Sequence, residues 1–209
     1  AIKGANYVDG GVVWLQSSSV LEITGGIFRN NKARDGGVVY GGNNTVKISG
    51  ATITGNWAQR SGSVLHDNGS CQVTIGDGAV ITGNIGANTS ATEGYSAAIS
   101  MCGSNGKLTL SGKVIIAGNT TGATGVASLT FNKTDSDVLY VNALAAGSCV
   151  EFCTPKTAPA EAGEVVAVNG TQTDWSSGWV SHMGVDGALR YVGKDSSGFT
   201  FAQAHIHTQ

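Results

Sequence analysis

The sequence predicts an all-β protein: a right-handed parallel β-helix of about four to five coils, three short strands per coil, with a C-terminal β-hairpin cap. Three observations lead there. A large apolar residue is followed three places later by asparagine four times, at Phe28/Asn31, Ile53/Asn56, Ile81/Asn84 and Ile116/Asn119. Ahead of each copy stand two further strand-like segments that fall into columns. The composition, with 32 glycines, 2 prolines and only 12% charged residues, suits a turn-dense β chain rather than a helical or disordered one.

Each unit begins with a small-residue strand: Gly10-Gly11-Val12-Val13, Gly36-Gly37-Val38-Val39, Gly62-Ser63-Val64-Leu65 and Ser96-Ala97-Ala98-Ile99. A short alternating strand follows: Leu21-Glu22-Ile23, Val46-Lys47-Ile48, Val73-Thr74-Ile75 and Leu108-Thr109-Leu110. The asparagine motif closes the unit, its copies 25, 28 and 35 residues apart. Strands this short bury no apolar face alone; stacked units do, each strand pairing with its copy at the usual ~4.8 Å. Alternation then assigns faces. The inward columns are Val13/Val39/Leu65/Ile99, Leu21/Val46/Val73/Leu108, Ile23/Ile48/Ile75/Leu110 and Phe28/Ile53/Ile81/Ile116, with Gly26/Ala51/Ala79/Val114 at a tight corner. The asparagines are expected to supply left-handed turns and to bond to one another from coil to coil.

After Asn119 the pattern decays. Residues 125–153 are expected to form an irregular fifth coil around Leu139-Tyr140-Val141. The helix domain is thus placed at 1–153, a linker at 154–163, and a cap or the start of a next module at 164–209. In this last segment Leu189–Val192 and Phe199–Phe201 are predicted to pair across a turn at Gly193–Gly198.

A net charge of -2 gives no reason to expect nucleic acid or an anionic membrane as partner. No apolar run approaches the ~20 residues of a membrane-spanning helix. Cys71, Cys102, Cys149 and Cys153 are read as two disulfides in an oxidising, extracellular compartment, with Cys71 and Cys102 bridging adjacent coils. No CxxC spacing and only scattered histidines leave no metal site, and no cofactor is implied. His205 and His207 are taken as belonging to the end of an excised piece.

The motifs carried by Gly36-Gly37-Val38-Val39 and Phe28-Arg29-Asn30-Asn31 resemble the GGA[ILV]/FxxN repeats of chlamydial polymorphic outer-membrane proteins and of adhesin-like β-helix proteins from gut bacteria and archaea. The resemblance covers about residues 8–120, with isoleucine at 53, 81 and 116 where the family pattern has phenylalanine, and Ser63 and Ala97 in the glycine pair. The terminal hairpin stretch looks like segments that precede further modules in large Gram-positive surface proteins. The resemblance implies a secreted or wall-attached adhesin passenger, monomeric, meeting a host or neighbouring-cell glycan or protein such as mucin or immunoglobulin. It supplies no catalytic residues.

Other β-helices are polysaccharide lyases or hydrolases, and those need clustered carboxylates, ~6.5–9.5 Å apart in an inverting hydrolase. Asp9 and Asp35 stack before their glycine pairs, but Ser61 and Tyr95 follow in that column, and turn formation accounts for both acids. Glu22 and Lys47 are expected as an outward ion pair. The binding candidates are instead the outward column Trp14/Tyr40/His66 and the polar insertion 85–95, with Asn88, Thr92, Glu93 and Tyr95. A third feature is the outward apolar column Ile27/Thr52/Val80/Ile115, which the C-terminal cap is expected to cover.

Overall fold

The computed structural model describes residues 7–88, 97–103, 105–121, 125–126, 128–131, 138–145 and 147–152, and then the strand residues 165–166, 168–169, 180–183, 189–195 and 198–203. All the regular structure among them is β, almost all of it in parallel sheets, and no helix occurs.

Each repeat returns its strands to the same ladders. The first ladder stacks Val13–Trp14, Val39–Gly41, Leu65–Asp67, Ile99–Met101 and Leu129–Phe131. The second runs from Val20–Ile23 through Thr45–Ser49, Gln72–Gly76 and Lys107–Gly112 to Val138–Leu144 and Val168–Asn169. The third stacks Gly26–Arg29, Ala51–Thr54, Ala79–Thr82, Val114–Ile116, Cys149–Phe152 and Val180–Met183. Leu129 pairs with Phe152, so the first and third ladders share one sheet.

A fourth ladder corrects the expected three strands per unit. Lys32–Asp35, Trp57–Ser61, Ile85–Gly86 and Thr120–Thr121 pair in parallel directly after each ladder asparagine. Alternation hid them because little more than a small residue points inward from each: Ala33 and Ala58 are fully buried between polar or aromatic neighbours. Such a strand has no apolar stripe to recognise.

The inward columns pair as read from the sequence. Leu21, Val46, Val73 and Leu108 are in register, as are Ile23, Ile48, Ile75 and Leu110. Val39, Ile48, Ile53 and their counterparts, from the first three ladders, join one apolar cluster, and the members from the second repeat onward are almost wholly excluded from solvent. In the first repeat Val13, Leu21 and Phe28 are only half-buried, because no strand is stacked on their other side among the described residues.

The asparagine ladder is continuous and has a direction. Asn31 Nδ2 donates to Asn56 Oδ1 (2.8 Å), Asn56 to Asn84 (2.9 Å) and Asn84 to Asn119 (2.8 Å). Each receiving oxygen also accepts the backbone N–H of the preceding asparagine. The left-handed turn residue, however, is the one before: Asn30, Gly55, Gly83 and Gly118 have φ of 59–66°. The ladder amide is thereby free to bond along the stack rather than shape its own turn.

The expected Cys71–Cys102 disulfide is not formed, and Cys149 is a free thiol as well. Cys71 lies inside the apolar cluster, and its carbonyl accepts from Lys107 N. Cys102 follows the Met101↔Asp67 pair, and its sulfur meets Ser100 Oγ at 2.9 Å, on the outer side of the wall. The two side chains therefore stand at different register positions and on opposite faces. Cys153 lies outside the described residues.

Val138–Leu144 supplies the strand expected around Tyr140. Further on, Val180–Met183, Leu189–Asp195 and Gly198–Gln203 form an antiparallel meander joined to the third ladder. Its hairpin is tighter than expected, since Asp195 pairs with Gly198 and the strand runs through Gly193. The linker at 154–163 lies outside the described residues. At the first-repeat end of the outward apolar column Ile27 is 71% exposed, so nothing among the described residues covers it.

A candidate binding groove at the glycine corner

The fourth ladder meets the first at a sharp bend. Gly36 and Gly62 carry it, with φ of 64° and 62°, a region that L side chains seldom enter. Gly37 completes the bend: a Cβ there would run into the Ser63 carbonyl of the next repeat. The bend folds the outer faces of the two ladders toward each other, so residues pointing away from the apolar core face one another across a concave corner.

One wall of the corner is the column Trp14, Tyr40, His66, Ser100, whose register is continuous. The outward parity expected from the sequence holds, but the exposure of an aromatic ladder does not. Trp14 is 56% exposed, Tyr40 is half-buried and His66 only 7% exposed. The rings of Tyr40 and His66 stack at 5.3 Å with an interplanar angle of 11°. His66 is buried because the opposite wall closes over it.

That opposite wall is a ladder of ion pairs that the sequence reading missed. Arg34 donates from Nε and an Nη to the two carboxylate oxygens of Asp9 in the preceding repeat, at 2.9 and 2.7 Å. Arg60 holds Asp35 in the same way from one repeat on, though its Nε (3.0 Å) and an Nη both converge on Oδ2. The signal was present in the sequence. Asp9, Asp35 and Ser61 recur every 26 residues, and an arginine stands immediately before the second and third. Turn formation alone does not account for Asp35, which is 1% exposed. Burial raises the Asp9 carboxyl, but the hydrogen bonds and charge of Arg34 outweigh it and hold Asp9 below the usual carboxylate value.

In the third repeat Ser61 takes the aspartate's place and the chemistry changes. Ser61 Oγ donates to Ser100 Oγ (2.9 Å) and lies 2.8 Å from His66 Nδ1. The Cys102 thiol touches both serines. Burial lowers the His66 pKa against the pull of the Asp35 and Asp67 carboxylates, so the ring is neutral near pH 7. Asp67 faces its own loop, accepting from the backbone N–H of Gly69 and Cys71. Burial pushes the Cys102 thiol up to about 11, far from a reactive thiolate.

Two cavities lie one repeat apart along this corner. The outer one, about 670 Å³, is bounded by Tyr7, Val8, Asp9, Trp14, Arg34 and Gln59. The inner one, about 320 Å³, is bounded by Asp35, Arg60, Ser61, His66, Asn68, Asn88 and Cys102. Asn88 of the predicted insertion therefore does reach the corner beside His66, and its carbonyl accepts Thr121 Oγ1 at 2.6 Å. Thr92, Glu93 and Tyr95 lie outside the described residues. No cluster of three metal-ligating side chains occurs among the described residues. No family model matches the chain, and neither does any curated protein or solved structure.

Proposed function

We propose that the chain is a right-handed parallel β-helix that serves as a non-catalytic, extracellular binding module of a bacterial surface protein. The helix supports this through its repeated return to the same ladders around one shared apolar cluster. The glycine corner is the recognition surface, and its partner is a glycan or glycoprotein of a host or neighbouring cell, of the mucin or immunoglobulin type. The observation that carries this is the exposed Trp14 ring at the mouth of a roomy cavity whose polar wall is already organised by the Asp9–Arg34 pair. Rigid aromatic surface beside fixed hydrogen-bonding groups, on a scaffold that moves little, is what recognition asks for.

A polysaccharide lyase or hydrolase is the rival from another class. Its general acid needs a raised pKa, and Asp9, the acid in the open cavity, is shifted the other way. The Ser61–His66 contact resembles a nucleophile and its base, but Ser61 is 2% exposed and spends its proton on Ser100. A purely structural stalk is the third alternative.

One experiment separates the three. The wild-type protein and Trp14→Ala are compared for binding to immobilised mucin and immunoglobulin, and for release of sugar from polysaccharides. Binding that falls with Trp14→Ala and no sugar release are expected. Catalytic turnover, or binding indifferent to Trp14→Ala and to Arg34→Ala, would defeat the proposal.

A further inference from the structure

From the corner's charge balance and shape we infer that its ligand is a neutral, linear saccharide chain lying along the stack of repeats, with one ring on Trp14. This rests on the binding role proposed above and names the ligand class for it.

Charge comes first. The groove contains two arginines and two aspartates, and each arginine is held by the aspartate of the preceding repeat, Arg34 through both carboxylate oxygens of Asp9 and Arg60 chiefly through Oδ2 of Asp35. An anionic partner needs guanidinium groups that are free to receive it. Here an anion gains one attraction only by losing another, while a cation meets the same obstacle from the aspartates. A polyol meets none. Its hydroxyls accept from the remaining guanidinium N–H groups and donate to the unused carboxylate lone pairs without breaking the pairs.

Shape supplies the rest. A half-exposed indole at the lip of the groove offers a flat apolar face for the C–H side of a pyranose, and Tyr7, whose ring packs on Trp57 at 5.1 Å, and Gln59 bound the same cavity. The two cavities follow one another along the corner, the outer at the Asp9–Arg34 pair and the inner at the Asp35–Arg60 pair, and the strand-to-strand rise of ~4.8 Å is close to the length of one pyranose unit. An extended peptide fits the groove less well, because strand addition requires an unpaired edge, and the open edge at Val13–Trp14 lies at the end of the stack rather than along the groove. Val39–Gly41, in the groove wall, is already paired on both sides, to Val13–Trp14 and to Leu65–Asp67.

The test is calorimetric titration of the protein with neutral oligomers of glucose, xylose, mannose and N-acetylglucosamine, and with the acidic chains polygalacturonate and heparin. We expect at least one neutral series to bind, longer oligomers more tightly than disaccharides. Trp14→Ala weakens it roughly tenfold and Trp14→Phe much less. Asp9→Asn, which removes the nearer of the two carboxylates beside Arg34 and leaves Asp35 at 3.7 Å, tips the groove positive and makes heparin bind where the wild type does not. Trp14 is exposed, so circular dichroism of its variants should match the wild type. Acidic chains bound in preference to neutral ones, with Trp14→Ala still weakening them, would overturn the ligand class and leave the groove's binding role standing. The same division holds if no saccharide binds but mucin or immunoglobulin does, in a Trp14-dependent way. Neutral-sugar binding that ignores Trp14→Ala overturns both, as does a protein that binds none of these probes.

Discussion

Ser128 hands the asparagine ladder over to Glu151: its Oγ lies 3.0 Å from Asn119 Nδ2, which donates to it, and donates in turn to Glu151 Oε2 at 2.9 Å. Every amide-to-amide bond in the ladder points the same way, from Asn31 toward Asn119, so their dipoles add along the stack, while the amides of Asn56, Asn84 and Asn119 also donate back to a carbonyl of the preceding repeat. The far end of such a chain is its positive end, and a carboxylate is the acceptor that suits it. Glu151 also accepts the backbone N–H of Gly118 at 2.7 Å.

This polarity ranks four substitutions. Asn84→Ala leaves the Asn56 amide and backbone N–H without their buried acceptor and should cost about 3 kcal/mol. Glu151→Ala orphans one hydroxyl and one N–H and should cost about 1–2 kcal/mol, whereas Glu151→Gln, which keeps an acceptor, costs less. Asn31→Ala, at the half-buried start, should be milder than Asn84→Ala. Urea unfolding of the four variants checks the order, and equal losses at both ends would contradict a directional ladder.

The bend that makes the groove should be intolerant at Gly37. An alanine methyl there strikes the Ser63 carbonyl, which is backbone and fixed by the pairing of adjacent repeats. Gly25→Ala is the control, since its Cβ would sit 3.8 Å from the Gly50 oxygen, in ordinary contact. Thermal unfolding should separate the two by more than about 2 kcal/mol.

His66 should make stability depend on pH in the mildly acidic range. Its folded pKa is lowered from 6.5, chiefly by burial, with Asp35 and Asp67 pulling the other way and Arg60 assisting. The unfolded chain therefore binds the proton more readily, and stability falls as pH drops through about 6.5, levelling off below the folded value. His66→Gln removes that slope. Denaturation of both proteins from pH 8 to pH 5 isolates it as their difference, and parallel curves would show that the ring titrates as it does in water.

The thiols should be slow to react. Burial pushes Cys71 up to about 12 and Cys102 up to about 11, and Cys149 is raised as well. Alkylation by iodoacetamide at neutral pH should therefore reach Cys71 and Cys102 only after denaturation, the thiol being a poor nucleophile. Mass mapping of the native protein checks this and the bridge together. A Cys71–Cys102 crosslink, or prompt alkylation of Cys71, would mean the wall is not packed as described.

What the sequence determined by itself was everything that repeats with an apolar signature. Leu21, Ile48, Ile81 and Ile99 were assignable to inward columns because alternation is local and because the same alternation recurs at each repeat. The asparagine ladder was legible for the same reason, although its turn belonged to Gly55 and Gly83 rather than to Asn56 and Asn84. The tertiary structure alone decided how polar residues meet. Arg60 reaches Asp35 from 25 residues away, and Ser61 reaches Ser100 from 39, through a bend set by glycine dihedrals that no hydrophobic pattern encodes. Parity could say that His66 points away from the core. It could not say that the surface there folds back on itself, and that curvature is what turns an outward ring into a buried one two repeats along from an open tryptophan.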